Sequence, residues 1–288
     1  MSKRSASQKA SDSLARGSGS RTKKKMSQEE AGTSVKNVPA PLPEFTGDHY
    51  QTVLKRIHAV LKPRSYLEIG TLQGATLMLA RCAAIAVDPH IRLEKLPAES
   101  MPALCLFQMK SDDFFKAHDP RSILGMPMDV AFIDGMHLVE YALRDFIHTE
   151  KACHAQSVIV LHDCVPLDHP MAVRDMSDRT RRALSVHPEW WTGDVWKILE
   201  ILARYRPDLT VEVFNAPPTG LVLVRRLDPD SRVLADHYDE IVAEFRTPAD
   251  ESALFAKMRS RLEIKDTAKL AETLSELLVS STLNPALA

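Results

Sequence analysis

Ligand-type side chains in this sequence follow short apolar runs, at the points where those runs end. Asp134 follows the run 129–133, and His162 and Asp163 follow the run 157–161. Because parallel strands bring their carboxyl ends to one edge of a sheet, we expect these three side chains to converge. Two carboxylates and an imidazole suit a divalent cation such as Mg, Mn, Fe or Zn. Such a metal would hold substrate oxygens and lower the pKa of a hydroxyl group.

Two other interpretations of this cluster stay open at the level of sequence. Without a metal, His137 or His162 would serve as a general base, since histidine titrates near neutral pH. Alternatively, His162 and Asp163 only hydrogen-bond each other and cap a loop.

A second group of candidate residues lies between Tyr66 and Gly74. This stretch is typical of a buried strand that runs into a glycine turn at Gly70, and residues 75–80 are predicted to form a helix. Glu68 would accept hydrogen bonds from an amine or hydroxyl and would repel a pyrophosphate. The spacing differs from the G-x-G-x-x-G of dinucleotide folds. The stretch therefore favours a nucleoside that carries a cationic group over one that carries phosphate.

The elements that position these residues alternate between strand and helix, which is typical of βαβ units around a parallel sheet. A short turn between the last two predicted strands indicates an antiparallel hairpin. The predicted strands are Tyr66–Ile69, Ala83–Val87, Leu104–Met109, Asp129–Ile133, Ser157–Leu161, Thr210–Phe214 and Leu221–Val224. Helices are predicted over 49–62, 138–152, 195–205, 229–246 and 249–279, and a helix carrying Phe114 and Phe115 is predicted to be capped by 111–113.

The bulk composition is that of a globular protein with a polar leader segment. The 288 residues are 44% hydrophobic and 26% charged, the net charge is −1, and the four cysteines form no C-x-x-C pair. No apolar run approaches the roughly 18 residues of a membrane span and no signal sequence is evident, which predicts a cytoplasmic protein without a membrane partner. We predict a disordered basic tail and Pro-rich linker over 1–43, a main domain over 44–227 with a lid or substrate loop over 165–193, and C-terminal helices over 228–288.

Together, these features resemble the class I methyltransferases that use S-adenosylmethionine. The resemblance rests on E-x-G-x-x-x-G at 68–74, an acidic residue after the second strand, and the closing hairpin. The segments Phe132-Ile133-Asp134-Gly135-Met136-His137 and Leu161-His162-Asp163-Cys164 are similar to a bacterial branch near the metal-assisted O-methyltransferases. The resemblance implies a Rossmann-like, doubly wound, seven-stranded α/β sheet, mostly parallel with a final antiparallel hairpin and a helical C-terminal appendage.

The resemblance also implies roles for individual residues. Glu68, Gly70, Thr71 and Gly74 would lie at the methionine end of the cofactor. Asp88 would bind the ribose hydroxyls, although a turn-capping role is the alternative. Ser111 and Asp112 would lie beside the adenine, with an N-cap as the alternative, and Asp134 would contribute to both cofactor and metal. The catechol-type pattern has Asp-Asn where this chain has His162-Asp163, a departure that bears on the metal.

The function expected from this resemblance is methyl transfer from S-adenosylmethionine to a hydroxyl oxygen of a small molecule or sugar, with or without a divalent metal. A catalytically silent binding or regulatory protein on the same scaffold is the alternative. The missing dinucleotide motif argues against a nicotinamide enzyme. The basic run 21–25 is expected to be a solvated tail and not a nucleic-acid contact, and a homo-oligomer is compatible with the C-terminal helices.

Overall fold

The computed structural model describes residues 39–93, 95 and 101–275, and the predicted tail up to residue 38 lies outside these residues. Across the described residues a single mixed sheet runs in the order β3-β2-β1-β4-β5-β7-β6-β8. Its strands are β1 Ser65–Ile69, β2 Ala83–Val87, β3 Leu104–Phe107, β4 Met128–Ile133, β5 Cys153–His162, β6 Thr210–Phe214, β7 Leu221–Arg225 and β8 Ile264–Lys265. The expected α/β class is confirmed.

Strand β7 pairs antiparallel with both β5 and β6, whereas the other pairings are parallel. The predicted closing hairpin is therefore present. The chain moves outward from β1 to β2 and β3 and then returns to place β4 on the other side of β1. This reversal of strand order is a topological switch point, where open α/β sheets leave a crevice beyond the carboxyl ends of their strands.

Helices cover the sheet and follow the apolar periodicity of the sequence. Val53, Leu54 and Ile57 of the first helix are buried against the strands, as its spacing predicts. The helices are α1 Tyr50–Leu61, α2 Ser111–Ala117, α3 Pro120–Leu124, α4 Val139–Ala152, α5 Arg179–Arg182, α6 Lys197–Tyr205, α7 Val233–Asp236, α8 Tyr238–Phe245 and α9 Glu251–Arg261.

The sheet has one strand more than the seven predicted. Strand β8 is a two-residue strand in the C-terminal region that was expected to be only helical, and it pairs in parallel with β6 through Val213 and Phe214. So short a segment gives no period-2 signal, and only the exposed edge of β6 creates it. The surrounding helices contribute Phe245, Phe255 and Met258 to the main core, so they help to close it.

Two local predictions were wrong. Residues 75–80 form only a short 3-10 turn, Leu77–Leu79, and not an α-helix. The helix expected to be capped by 111–113 instead begins at Ser111, with Lys110 as an N-cap that makes no side-chain bond. Asp112 and Asp113 consequently lie in its first turn, where negative charge is favourable.

The buried side chains form two apolar layers, one on each face of the sheet. Alternating residues of one strand belong to different layers: Tyr66 lies in one and Leu67 in the other. Among the described residues, no helix combines the length and apolar character that a membrane span requires.

Candidate functional site

A cavity of about 700 Å³ opens at the carboxyl ends of β1, β2, β4 and β5, at the switch point of the sheet. Its volume lies within the range of about 300–1,000 Å³ that is usual for small-molecule and cofactor sites. Residues from seven chain segments line it: Tyr50, Ile69, Gly70, Thr71, Leu72, Gln73, Ala75, Thr76, Val87, Asp88, Pro89, His90, Lys110, Ser111, Asp112, Asp134, Gly135, Met136, His137, Tyr141, His162 and Asp163.

Gly70 lets the tips of β1 and β4 approach each other at the floor of this cavity. Its φ is +90°, and a Cβ atom at this position would lie 1.9 Å from the carbonyl oxygen of Asp134. The strands are tied here because Asp134 N donates to Ile69 O at 2.8 Å, while Gly70 N donates to Val87 O at 2.9 Å. Only glycine meets both requirements, the conformation and the space.

Asp88 holds the loop that follows Gly70. Its Oδ2 accepts the backbone N–H of Leu72 at 2.8 Å, and its Oδ1 accepts that of His90 at 2.6 Å. The turn-capping interpretation of Asp88 is thus correct. Each carboxylate oxygen keeps a second lone pair, and Asp88 lines the cavity, so the cap leaves room for a ligand contact.

Two residues expected at the methionine end of the cofactor do not line the cavity. Glu68 is fully buried, and its Oε2 accepts the hydroxyl of Tyr66 at 2.6 Å. Burial raises the pKa of Glu68 to about 7, against the opposing hydrogen bond from Tyr66. Gly74 packs instead against Leu93, whose Cδ2 would lie 2.4 Å from a Cβ at that position.

Ser111 and Asp112 line the cavity at the start of α2, where the resemblance expects the adenine. Asp112 is held by the guanidinium of Arg144, with N–O distances of 2.6 and 2.7 Å. Arg144 also contacts the hydroxyl of Tyr238. Behind this wall, Asp145 is almost fully buried, and burial raises its pKa to about 7 despite a hydrogen bond from Ser111.

Asp134, His162 and Asp163 meet at one end of the cavity, as their positions after β4 and β5 predict. One ligand atom from each lies within 4.8 Å of the others. His162 Nδ1 is 3.2 Å from Asp134 Oδ1 and 3.5 Å from Asp163 Oδ2. Among the described residues, its Nε2 has no hydrogen-bond partner although it is buried. These three residues are called the Asp-His-Asp trio below.

His137 joins the trio from the loop between β4 and α4. Its Nε2 lies 3.2 Å from Asp134 Oδ1 and its Nδ1 lies 3.3 Å from Asp163 Oδ2. The backbone of His137 is left-handed, with φ 54°, and Gly193 packs so closely on it that a Cβ would meet the His137 carbonyl oxygen at 1.9 Å. The Trp191 ring stacks on the imidazole at 5.5 Å and 15°. The loop conformation thus brings both imidazoles to both carboxylates.

The electrostatics of this cluster follow from the pairing of two carboxylates with two imidazoles. Burial raises the pKa of Asp134 and Asp163, but the attraction of His162 and His137 outweighs it, so both carboxyls titrate below their usual range. Burial lowers the pKa of His137, whereas Asp163 and Asp134 raise it to a net value of about 9. The same carboxylates raise the pKa of His162. The cluster therefore stabilises the charged forms of all four side chains, and such a site is suited to ionic ligands.

Two residues of the site carry no sequence signal that could have revealed them. Tyr50, at the start of α1, places its ring 4.1 Å from that of His162. The hydroxyl of Thr219 donates to Asp163 Oδ1. Both are far from the trio in the chain, and only the fold brings them together. Tyr141 of α4 also lines the cavity, at a position predicted only as part of a helix.

The segment 165–193, predicted as a lid or substrate loop, divides into two parts. Val165, Leu167 and Met171 are fully buried, so its first part is scaffold, whereas Met176 and Leu184 are exposed. None of the described residues that line the cavity comes from this segment, so its role as a lid or substrate loop stays a prediction.

Asp194 and Lys197 form a buried ionic network just beyond this segment. Lys197 Nζ lies 3.0 Å from Asp194 Oδ2 and 2.6 Å from Glu251 Oε1. Arg174 contacts the same Asp194 oxygen at 2.9 Å, and Asp194 Oδ1 accepts Val139 N at 2.8 Å. Lys197 is fully buried. The network fixes the start of α4, which directly follows His137.

The fold and the site together define an α/β protein with a ligand cavity at the switch point of a mostly parallel sheet. Residues 67–164, about a third of the chain, match the family model described as "Methyltransferase domain". This match confirms the resemblance to methyltransferases, and the matched segment runs from β1 through the trio. No curated protein sequence matches the chain.

Several solved structures are similar to this chain. Cofactor-bound Rv0187 from MTB is 15% identical, with 64% of this chain and 83% of that chain covered and a TM-score of 0.42. An O-methyltransferase from Bacillus cereus in complex with SAH is 14% identical, with 64% and 83% covered and a TM-score of 0.38. The O-methyltransferase TomG from Streptomyces achromogenes, in complex with SAM, is 17% identical, with 62% and 80% covered and a TM-score of 0.41.

Proposed function

We propose that this protein transfers the methyl group of S-adenosylmethionine to a hydroxyl oxygen of a small molecule or sugar. The observation that carries the proposal is the single cavity that joins the Gly70 loop to the Asp-His-Asp trio. In the proposed arrangement, a nucleoside occupies the end of the cavity beside the Gly70 loop, and the acceptor oxygen lies at the end beside the trio. Reactants held together in one cavity need no separate encounter, which is the main requirement of a displacement reaction.

The nucleoside end has a suitable shape and polarity. Gly70 has no side chain, so the floor of the cavity is bare backbone at this position. A larger residue is excluded because its Cβ would collide with Asp134. Asp88 lies on one wall with unused lone pairs for ribose hydroxyls, and Ser111 and Asp112 lie on another for the adenine. Acidic groups on these walls, Asp88 and Asp112, favour a sulfonium cation over a pyrophosphate, whereas Glu68, on which the sequence argument rested, does not line the cavity.

In the proposed reaction, the acceptor oxygen attacks the methyl carbon of the sulfonium while the carbon–sulfur bond breaks. The products are a methyl ether and S-adenosylhomocysteine, and the hydroxyl proton passes to the protein or to solvent. His137 and His162 are the imidazoles nearest to where that oxygen would lie, and both line the cavity. Each contacts carboxylates that raise its pKa, so the imidazole accepts the hydroxyl proton only in its neutral form, which is the minor form near neutral pH.

The Asp-His-Asp trio also has a donor set that fits a divalent metal. Two carboxylate oxygens and one imidazole nitrogen lie within 4.8 Å of one another, and His162 Nε2 has no partner among the described residues. The mixed oxygen and nitrogen donors suit Mn, Fe or Zn better than Ca. When bound, such a metal would polarise the acceptor hydroxyl.

Cofactor binding and turnover test the proposal separately. The purified protein is titrated calorimetrically with S-adenosylhomocysteine and then incubated with S-adenosylmethionine and a panel of phenols, catechols and sugars, with and without chelator. Binding together with methyl ether formation supports the proposal. Binding without turnover on the whole panel would favour the catalytically silent alternative, and no binding would refute the cofactor assignment.

A further inference from the structure

A second cavity, of about 460 Å³, lies near the amino ends of β1 and β2, whereas the first cavity lies at the carboxyl ends of the strands. One wall is formed by Lys55, His58 and Ala59, which lie on one face of α1, together with Lys62, the residue that caps the C-terminus of this helix. The other wall comes from Pro63, Leu79 and Arg81. The charged residues of this lining are all cationic, and none of the residues belongs to the cavity described above.

The cations of this cavity are not neutralised by nearby carboxylates. Among the described residues, Lys55, Lys62 and Arg81 form no ion pair. Arg81 Nη1 donates to the carbonyl oxygens of Met78 and Ala80 at 2.7 and 2.8 Å, which fixes the guanidinium group. Within the described ranges, the Nε and Nη2 groups of Arg81 donate to no partner and remain for a ligand. Three cations around one cavity create a positive potential that attracts anions.

Lysines near the end of a helix are ordinary, because they complement the helix dipole. His58 separates this cavity from that ordinary case. It is only 7% exposed, and within the described part of the chain neither of its ring nitrogens has a hydrogen-bond partner. A buried imidazole always has at least one N–H, and leaving that donor unpaired costs on the order of 1–3 kcal/mol.

Packing accounts for the position of His58 but leaves its polarity unexplained. Its ring meets the Tyr66 ring edge-on at 4.7 Å, a contact that phenylalanine would make equally well. Burial, with a contribution from Arg81, lowers the pKa of His58 to about 4, so the imidazole is neutral in the empty cavity. The ring lines the cavity although both of its nitrogens are closed off from solvent, so a rotation of the ring toward the cavity would offer a neutral N–H donor to an anion with several acceptor oxygens.

We propose that this basic cavity binds the phosphate group of a small phosphorylated molecule through His58, Lys55, Lys62 and Arg81. The phosphate would accept the His58 N–H and charge-assisted hydrogen bonds from the three cations. A cavity of about 460 Å³ is larger than a phosphate ion alone needs, and its apolar wall of Ala59, Pro63 and Leu79 fits a compact organic part. The site is separate from the proposed methyl-transfer site.

The proposal is tested on the full-length protein with phenyl phosphate, inorganic phosphate and phenol as probes. Binding is followed by calorimetry and by the NMR signals of the histidine side chains. We expect phenyl phosphate to bind more tightly than inorganic phosphate, phenol not to bind, and the His58 signals to shift on saturation. Neither methyl donor nor acceptor is present, so the result does not depend on the proposed activity.

Variants locate the binding site. Lys55→Gln and Lys62→Gln should each weaken phenyl phosphate binding about tenfold, the loss expected for one charge-assisted hydrogen bond. Lys116→Gln is the matched control, since Lys116 is an exposed lysine in the last turn of α2. His58→Phe keeps the ring contact with Tyr66 and should also weaken binding. Unchanged affinity in both lysine variants, or no shift of the His58 signals, would overturn the proposal.

Discussion

The carboxylate of Asp88, at the end of β2, accepts the backbone N–H of Leu72 at 2.8 Å and so ties the loop after β1 to the neighbouring strand. The loop carries Gly70 and Thr71, which line the cofactor cavity. Asp88, expected either to bind a ribose or to cap a turn, therefore holds the cavity wall in place.

Replacing this carboxylate should weaken cofactor binding through both roles. Asp88→Ala is expected to lower the affinity for S-adenosylhomocysteine by roughly ten- to a hundredfold, because it removes charge-assisted hydrogen bonds of about 1.5–3 kcal/mol. Calorimetric titration measures the change. Asp119→Ala is a suitable control, since Asp119 also accepts a backbone N–H, at the start of α3. Equal affinities for wild type and Asp88→Ala would contradict the assignment.

Gly70 should tolerate no side chain, because its φ is positive and because a Cβ would collide with the carbonyl oxygen of Asp134. Gly70→Ala is expected to destabilise the protein by at least ~2 kcal/mol more than Gly125→Ala. Gly125 has a similar positive φ of 69°, but a Cβ there would meet nothing within 4 Å, so it isolates the backbone strain. Urea unfolding of both variants gives the difference. Equal destabilisation would mean that the predicted collision with Asp134 O does not occur.

Glu68 should make the stability of the protein depend on pH. Its pKa is raised to about 7 in the folded state by burial, while the unfolded chain keeps the ordinary value of 4.5. This contribution is fully present below about pH 4.5 and is lost as the pH rises through 7, amounting to about 3 kcal/mol. Glu68→Gln cannot ionise, so its free energy of unfolding should fall less between pH 5 and pH 8.

Urea unfolding at several pH values checks this expectation, with the wild type and Glu68→Gln measured side by side. Asp145 also has a raised pKa of about 7, but it is present in both proteins and cancels in the comparison. Parallel stability curves for the two proteins would show that Glu68 is not held protonated.

The Asp-His-Asp trio should bind a divalent ion, and Mn²⁺ is a convenient probe. Asp134→Asn is expected to weaken Mn²⁺ binding at least about tenfold, because it removes an anionic ligand. Asp129→Asn is the matched control: Asp129 Oδ1 also faces an imidazole, that of His154 at 3.0 Å, but at the opposite end of β4. Calorimetry and elemental analysis provide the measurements. No Mn²⁺ uptake by the wild type, with activity insensitive to chelator, would leave the imidazoles as the proton acceptors.

Lys197 should be essential for stability although it touches no ligand. Lys197→Met leaves Asp194 and Glu251 without their buried cation, and the expected loss is about 3–5 kcal/mol. Lys257→Met is the control, because Lys257 is about half exposed and pairs with Glu200 at 3.2 Å. Thermal and urea unfolding compare the two variants. A loss below ~1 kcal/mol in Lys197→Met would show that the network does not depend on its lysine.

The sequence by itself determined the order of strands and helices and the position of the cluster after β4 and β5. Residues 83–87 and 210–214 were predicted with their observed bounds, because apolar runs between turn residues are a local signal. Asp134, His162 and Asp163 were predicted to converge because parallel strands end at one edge.

Only the tertiary structure decided which side chains face the cavity. Glu68 turned into the core, Tyr50 and Thr219 reached the trio from distant segments, and Lys197 was buried in an ionic network. Such outcomes depend on the twist of the sheet, on left-handed turns such as that of His137, and on contacts between residues far apart in the chain. Local sequence patterns do not encode these long-range contacts. The fold could therefore be predicted from the sequence, whereas the side chains that line the cavity could not all be predicted.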